Sequence, residues 1–101
     1  MGLLDFLFRK QRRDIENFKS RGAIILDVRS KKEYNKGHII GSENIPIDHL
    51  HQQVSVLRKT NKPFIVCCAS GVRSAKAVKY LHINGIDATN GGSYQTLKQW
   101  L

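Results

Sequence analysis

The sequence predicts an α/β domain: a central, mainly parallel sheet with helices on both faces. Two short, near-continuous apolar runs, AIILDV at 23–28 and FIVCC at 64–68, have the composition of strands covered on both sides. Helical periodicity with start and stop signals follows each run, and strands alternating with helices are the signature of this class. The length of 101 residues suits one domain spanning 1–101, with a core that needs no disulfide or metal staple. An apolar fraction of 41% and a charged fraction of 25% are ordinary for a globular protein, and no apolar run reaches bilayer-spanning length.

The elements follow in order. MGLLDFLF followed by RKQRR at 9–13 pairs an apolar stretch with basic residues, a combination found in helices lying on anionic lipid. The stretch is short, and Phe6 stands where a myristoylation signal places Ser or Thr. Residues 1–13 are therefore expected as a docked or partly mobile terminal helix, without firm membrane association. Ile15 and Phe18 mark a short helix over Asp14 to Ser20, stopped by Gly22. After the strand at 23–28, Ser30 and Glu33 form a capping box for a helix over Lys31 to Asn35 that Gly37 closes. GHIIGSENIPI is a loop leading to a short strand at Glu43 to Ile45. Asp48 is expected to cap a helix carrying Leu50, Val54 and Leu57, which Asn61 and Pro63 end.

FIVCC is the second buried strand. From Val72, a helix is expected to bury Ala75, Val78, Lys79 and Leu81 as its stripe and to stop at Gly85. IDAT at 86–89 is a weak strand, Asn90-Gly91-Gly92 a turn, and Ser93 the cap of a last helix holding Leu97 and Trp100.

The composition narrows the function. Seventeen Lys and Arg against eight Asp and Glu give a formal charge of +9, but outside RKQRR they are scattered, and no aromatic-basic motif for RNA or DNA is present. No nucleic-acid partner is expected; a positive field would instead draw in small anions. The two cysteines are adjacent, a poor disulfide framework, and nothing resembles a secretory signal, so a reducing cytoplasm is expected. His38, His49, His51 and His82 show no zinc-ligand spacing with them, and no metal is expected.

The chemistry centres on CASGVR, residues 68–73. In parallel sheets, ligands sit beyond the carboxyl ends of strands, where main-chain amides and helix N-termini converge. Ala69, Ser70, Gly71 and Val72 are small or flexible enough to curl around an anion there. A free thiol with a pKa of about 8.5 is mostly protonated at neutral pH, and a helix N-terminus beside a guanidinium such as Arg73 favours its thiolate. Alternation along the strand aims Cys67 and Cys68 to opposite faces, so Cys67 reads as packing and Cys68 as nucleophile. Asp27 and Arg29 share one face of a strand end and read as a structural pair.

From Leu26 to Trp100 the chain resembles the single-domain rhodaneses, a family of sulfurtransferases. The resemblance rests on LDVRSKKEYNKGHIIGSENIPI, then CASGVRSAKAVKYL, then a Gly-Gly pair with Trp100 eight residues after Gly92. It implies a rhodanese-like sheet of four to five strands and a catalytic Cys68 opening a six-residue loop to Arg73. It also implies substrate held by Ala69, Ser70, Gly71, Val72 and Arg73, with His38 bracing the neighbouring loops. The implied reaction passes a sulfane sulfur from thiosulfate, a thiosulfonate or a persulfide, through a Cys68 persulfide, to a thiol or cyanide, with no cofactor. The partners would be a small anionic donor and a thiol acceptor, a protein persulfide among the options, and the protein a monomer.

Two alternatives remain open. One is a noncatalytic rhodanese-like module that binds a protein. The other is a phosphatase or arsenate reductase using Cys67, whose five-residue spacing to Arg73 is that of a larger oxyanion loop. Val72, where phosphatases place glycine, argues against the second.

Overall fold

The computed structural model describes residues 2–101 and contains one four-stranded sheet. Its strands are β1 (Ile24–Asp27), β2 (Glu43–Asn44), β3 (Phe64–Cys68) and β4 (Ala88–Ser93). The helices are α1 (Leu3–Ser20), α2 (Lys31–Lys36), α3 (Leu50–Lys59), α4 (Val72–Ile83) and α5 (Tyr94–Gln99). The spatial order is β2-β1-β3-β4 and every pairing is parallel, so all carboxyl ends lie along one edge.

Two apolar layers explain why β3 is apolar at every position. Phe64, Val66 and Cys68 face one way, packing with Leu50, Val54 and Leu57 of α3 and with Ala77 and Leu81 of α4. Ile65 and Cys67 face the other way, toward Ile15 of α1 and Leu97 of α5. Parallel strands joined through helices must be covered on both faces, and the sequence supplies an apolar residue for each.

The structure departs from five expectations. The first thirteen residues and the helix after them form a single helix, α1, because Arg, Lys and Gln at 9–13 are good helix formers. Lys10–Asp14 and Arg12–Glu16 pairs, at 3.3 and 3.6 Å, link successive turns. The fully buried residue of α1 is Ile15, beyond the segment expected to dock, whereas Leu3, Leu4, Phe6, Leu7 and Phe8 are exposed. Phe8 alone among these meets an aromatic partner, lying edge-on to Trp100 at 6.4 Å.

Asp48 caps nothing. It lies inside a 3-10 turn, Ile47–His49, that leads into α3 without a side-chain cap. In α4 the buried positions are Ser74, Ala77 and Leu81, with Ala75 and Lys79 exposed, so the stripe is rotated by one residue from the expected one.

The expected turn at Asn90-Gly91-Gly92 is strand. A Cβ on Gly91 would come within 2.9 Å of both Ile65 Cγ2 and Leu97 Cδ2, so glycine here allows α5 to approach the sheet. The register slips between Val66 opposite Asn90 and Cys67 opposite Gly92, which accommodates one extra residue as a bulge. The bulge lies directly beside the carboxyl end of β3.

Candidate active site

β3 ends at Cys68, and residues 69–71 turn the chain into α4. Gly71 adopts φ +97°, a left-handed conformation that costs glycine nothing, and it packs close to Gly92 of the bulge. Helices leave their first amides without partners inside the helix. In α4 these amides aim back at the strand end: Gly71 N–H donates to Cys68 Sγ at 2.9 Å and Ser74 N–H at 3.4 Å. The Ser74 hydroxyl lies 3.3 Å from the same sulfur.

These donors separate the two cysteines. Both side chains are fully buried. For Cys68, burial pushes the thiol pKa up, but the Ser74 hydroxyl and amide, with the Ser70 and Gly71 amides, outweigh it and hold the value below that of an ordinary thiol. Cys67 is pushed up to about 12, first by burial and then by the Asp27 carboxylate. At neutral pH Cys67 is a protonated core residue.

Of the loop residues, Ala69, Ser70 and Val72 are exposed, and Gly71 is half-buried. Arg73 turns to α2: Nη1 and Nη2 donate to Glu33 Oε1 and Oε2 at 2.7 and 3.0 Å. Glu33 also accepts from the Ser30 amide at 3.1 Å in the capping box. Its carboxyl is lowered to about 2, first by Arg73 and then by Ser30. The pair thus ties the Cys68 loop to the α2 cap.

Asp27 and Arg29 form a buried fork, with Arg29 Nε and Nη2 donating to the carboxylate at 3.0 and 2.7 Å. Arg29 continues to the Gly37 carbonyl at 2.7 Å and lies over the Tyr94 ring at 3.8 Å, holding the end of α2 to α5. His38 braces this region as well: its Nδ1 is 2.7 Å from the Tyr34 carbonyl, and its ring stacks on Tyr34.

Sequence reasoning missed three participants. Ser74 donates to Asn90 Oδ1 at 2.7 Å, Asn90 Nδ2 donates to the Gly71 carbonyl at 3.2 Å, and Gly92 N–H donates to Asn90 Oδ1 at 2.9 Å. The Asn90 carbonyl accepts from Gln11 of α1 at 3.1 Å. Glu33 is the third, since its capping role was legible but its hold on Arg73 was not. The one available signal was that Ser74 occupies the third position of α4, where first-turn amides point at the strand end.

A groove of about 390 Å³ runs past the loop, lined by Ser70, Gly71 and Val72 on one side and by Gly92, Phe8 and Gln11 on the other. Among the described residues, no group of three or more His, Cys, Asp or Glu is placed to hold a metal ion. No helix among them is long and apolar enough to cross a membrane.

The chain is similar to several known proteins. The uncharacterized protein YqhL of Bacillus subtilis is 40% identical over 72 residues, covering 69% of this chain and 56% of its own length. The thiosulfate sulfurtransferase GlpE of Ectopseudomonas mendocina is 32% identical over 66 residues, covering 65% of this chain and 60% of its own. The chain therefore spans little more than half the length of these two relatives, and only 13% of a tRNA sulfurtransferase from Thermoplasma acidophilum that it also matches at 35% identity over 68 residues. The crystal structure of a rhodanese-like domain protein from Staphylococcus aureus superposes with a TM-score of 0.68 at 38% identity, over 75% of this chain and 74% of that one. The family model for the rhodanese-like domain matches residues 11–95, a stretch that holds the whole sheet, the Cys68 loop and the Arg73–Glu33 tie, and the chain belongs to that family.

Proposed function

We propose that the protein is a sulfurtransferase that carries a sulfane sulfur on Cys68. The observation behind this reading is the convergence of the Gly71 and Ser74 amides on the Cys68 sulfur, while the adjacent Cys67 is held protonated. The Cys68 thiolate attacks the outer sulfur of thiosulfate, forming a sulfur–sulfur bond as the bond to the sulfite sulfur breaks and sulfite departs with its electron pair. A thiolate or cyanide then attacks the outer sulfur of the Cys68 persulfide, and the Cys68 thiolate leaves. Main-chain donors stabilise the negative charge in each state. The carrier is the cysteine itself, so the cycle requires no metal or organic cofactor.

The sulfur is covered at rest, so donor entry requires the exposed Ala69–Ser70 segment to move outward. None of Ala69, Ser70 and Val72 is cationic, and Arg73 is engaged by Glu33. The loop therefore offers the doubly charged thiosulfate no free cation, and a small or protein-borne persulfide serves equally well as donor. GlpE, a relative named for thiosulfate, supports the reaction class. We place the reaction in a reducing cytoplasm, with the protein acting as a monomer. A phosphatase using Cys67 is disfavoured because that thiol is buried away from the loop and raised to about 12.

The test uses thiosulfate or a small persulfide as donor and cyanide as acceptor, with intact mass and thiocyanate read for wild type, Cys67→Ser and Cys68→Ser. A one-sulfur adduct and thiocyanate that survive loss of Cys67 but not of Cys68 are expected. Phosphate release from an aryl phosphate that depends on Cys67 would overturn the reading, as would the absence of any adduct.

A further inference from the structure

Ser74 has one hydroxyl proton and two acceptors within reach. Its Oγ lies 3.3 Å from Cys68 Sγ and 2.7 Å from Asn90 Oδ1. The Asn90 amide is oriented by main-chain groups whose roles are fixed: Gly92 N–H donates to Oδ1, and Nδ2 donates to the Gly71 carbonyl. A flipped amide would set donor against donor and acceptor against acceptor. Oδ1 is therefore the atom facing Ser74, and the Ser74 proton points at Asn90.

With that proton committed, the contact between Ser74 Oγ and the sulfur closes only when sulfur supplies the hydrogen, as a protonated thiol. On ionisation the thiol proton leaves to solvent, and the thiolate then faces the lone pairs of a hydroxyl oxygen. The conflict is relieved when the Ser74 proton turns from Asn90 to sulfur. The thiolate then has three donors, the Gly71 and Ser74 amides and the Ser74 hydroxyl. Asn90 Oδ1 keeps Gly92 N–H, so no buried polar atom is orphaned.

We propose that Asn90 is a positioning residue that competes with Cys68 for the Ser74 hydroxyl proton and thereby sets how readily the nucleophile ionises. The proposal rests on reading Cys68 as the nucleophile and adds to it a part for Ser74 in each half-reaction. The hydroxyl turns to sulfur when the thiolate forms. It returns to Asn90 when the persulfide moves the charge to the outer sulfur. No bond to carbon or sulfur is made or broken by the turn, and no electrons change hands.

The charged groups acting on Cys68 are few. Arg73 of α4 is paired with Glu33 of α2, and Asp27 and Arg29 at the end of β1 lie behind Cys67. The α1 and β4 side chains that join this network, Gln11 and Asn90, are neutral. Substituting Asn90 by an apolar residue therefore changes the proton competition without removing a charge.

The experiment measures the rate of iodoacetamide alkylation against pH in a Cys67→Ala background, where Cys68 is the sole thiol. Asn90→Leu removes the competitor and is expected to lower the apparent thiol pKa by about half a unit to one unit, the worth of the Ser74–Asn90 hydrogen bond that ionisation no longer breaks. Asn90→Asp retains the acceptor, adds negative charge and is expected to raise it, so the prediction stays testable if the leucine variant does not fold. In a further Ser74→Ala background the downward shift of Asn90→Leu should vanish. A leucine variant with an unchanged or raised pKa, or a downward shift that persists without the Ser74 hydroxyl, would overturn the proposal. Failure to form a persulfide would count against the proposed function and leave these shifts intact, so the two failures are distinguishable.

Discussion

Cys67 and Cys68 share a strand, yet one amide-lined turn separates their chemistry. Alternation along β3 was enough to assign them opposite faces from the sequence. What alternation does not reveal is which groups meet each sulfur, because the partners of Cys68 come from Ser74 and Asn90, brought together only by tertiary structure. Arg73 illustrates the same limit. Its spacing from Cys68 was legible, but its direction toward Glu33 was not, since that contact closes over 40 residues of chain. The Arg73–Glu33 pair has a pH consequence. The Glu33 carboxyl falls from 4.5 to about 2 on folding, so its contribution to stability is present above about pH 4.5 and is lost as pH falls through 2. Urea midpoints measured at pH 5 and pH 2.5 should therefore drop further for wild type than for Glu33→Gln.

At the scale of elements, the strands and helices that bury a continuous apolar face were legible, because a run such as FIVCC has few other ways to satisfy water and backbone together. Segments defined by exceptions were not. β4 carries the sequence ATNGGS, which reads as a turn by composition; it is a strand because Gly91 allows α5 to close on Ile65 and because Gly92, at φ +78°, takes up the bulge. Adding a single methyl group at Gly91 should overpack this contact. Gly91→Ala is expected to cost about 1–3 kcal/mol in chemical denaturation. On the proposed function it should also reduce sulfur transfer, because Asn90 and Gly92 move with the bulge. A variant as stable as wild type would show that β4 does not need the close approach. α1 was misread for a different reason: local helix propensity carried it beyond the sheet, where Leu3, Leu4 and Leu7 are exposed among the described residues.

At the scale of the whole molecule, a parallel sheet gathers the carboxyl ends of β1, β3 and β4 along one edge and sets the N-terminus of α4 against them. The Cys68 loop, the Asp27–Arg29 fork, the Arg73–Glu33 tie and the bulge of β4 all meet there, so the site is a product of topology as much as of its motif. The net charge of +9 gives the molecule a positive field that attracts small anions, although Arg73, the cation that ends the loop, is engaged by Glu33. Folding makes Cys68, and not its neighbour, the more readily ionised thiol. Alkylation of the wild-type protein against pH, with the labelled cysteine located by fragment mass, tests it most directly. Label is expected on Cys68 with an apparent pKa below that of a free thiol, and none on Cys67 until the protein unfolds. Label on Cys67 first, or a Cys68 that ionises no more readily than free cysteine, would contradict it.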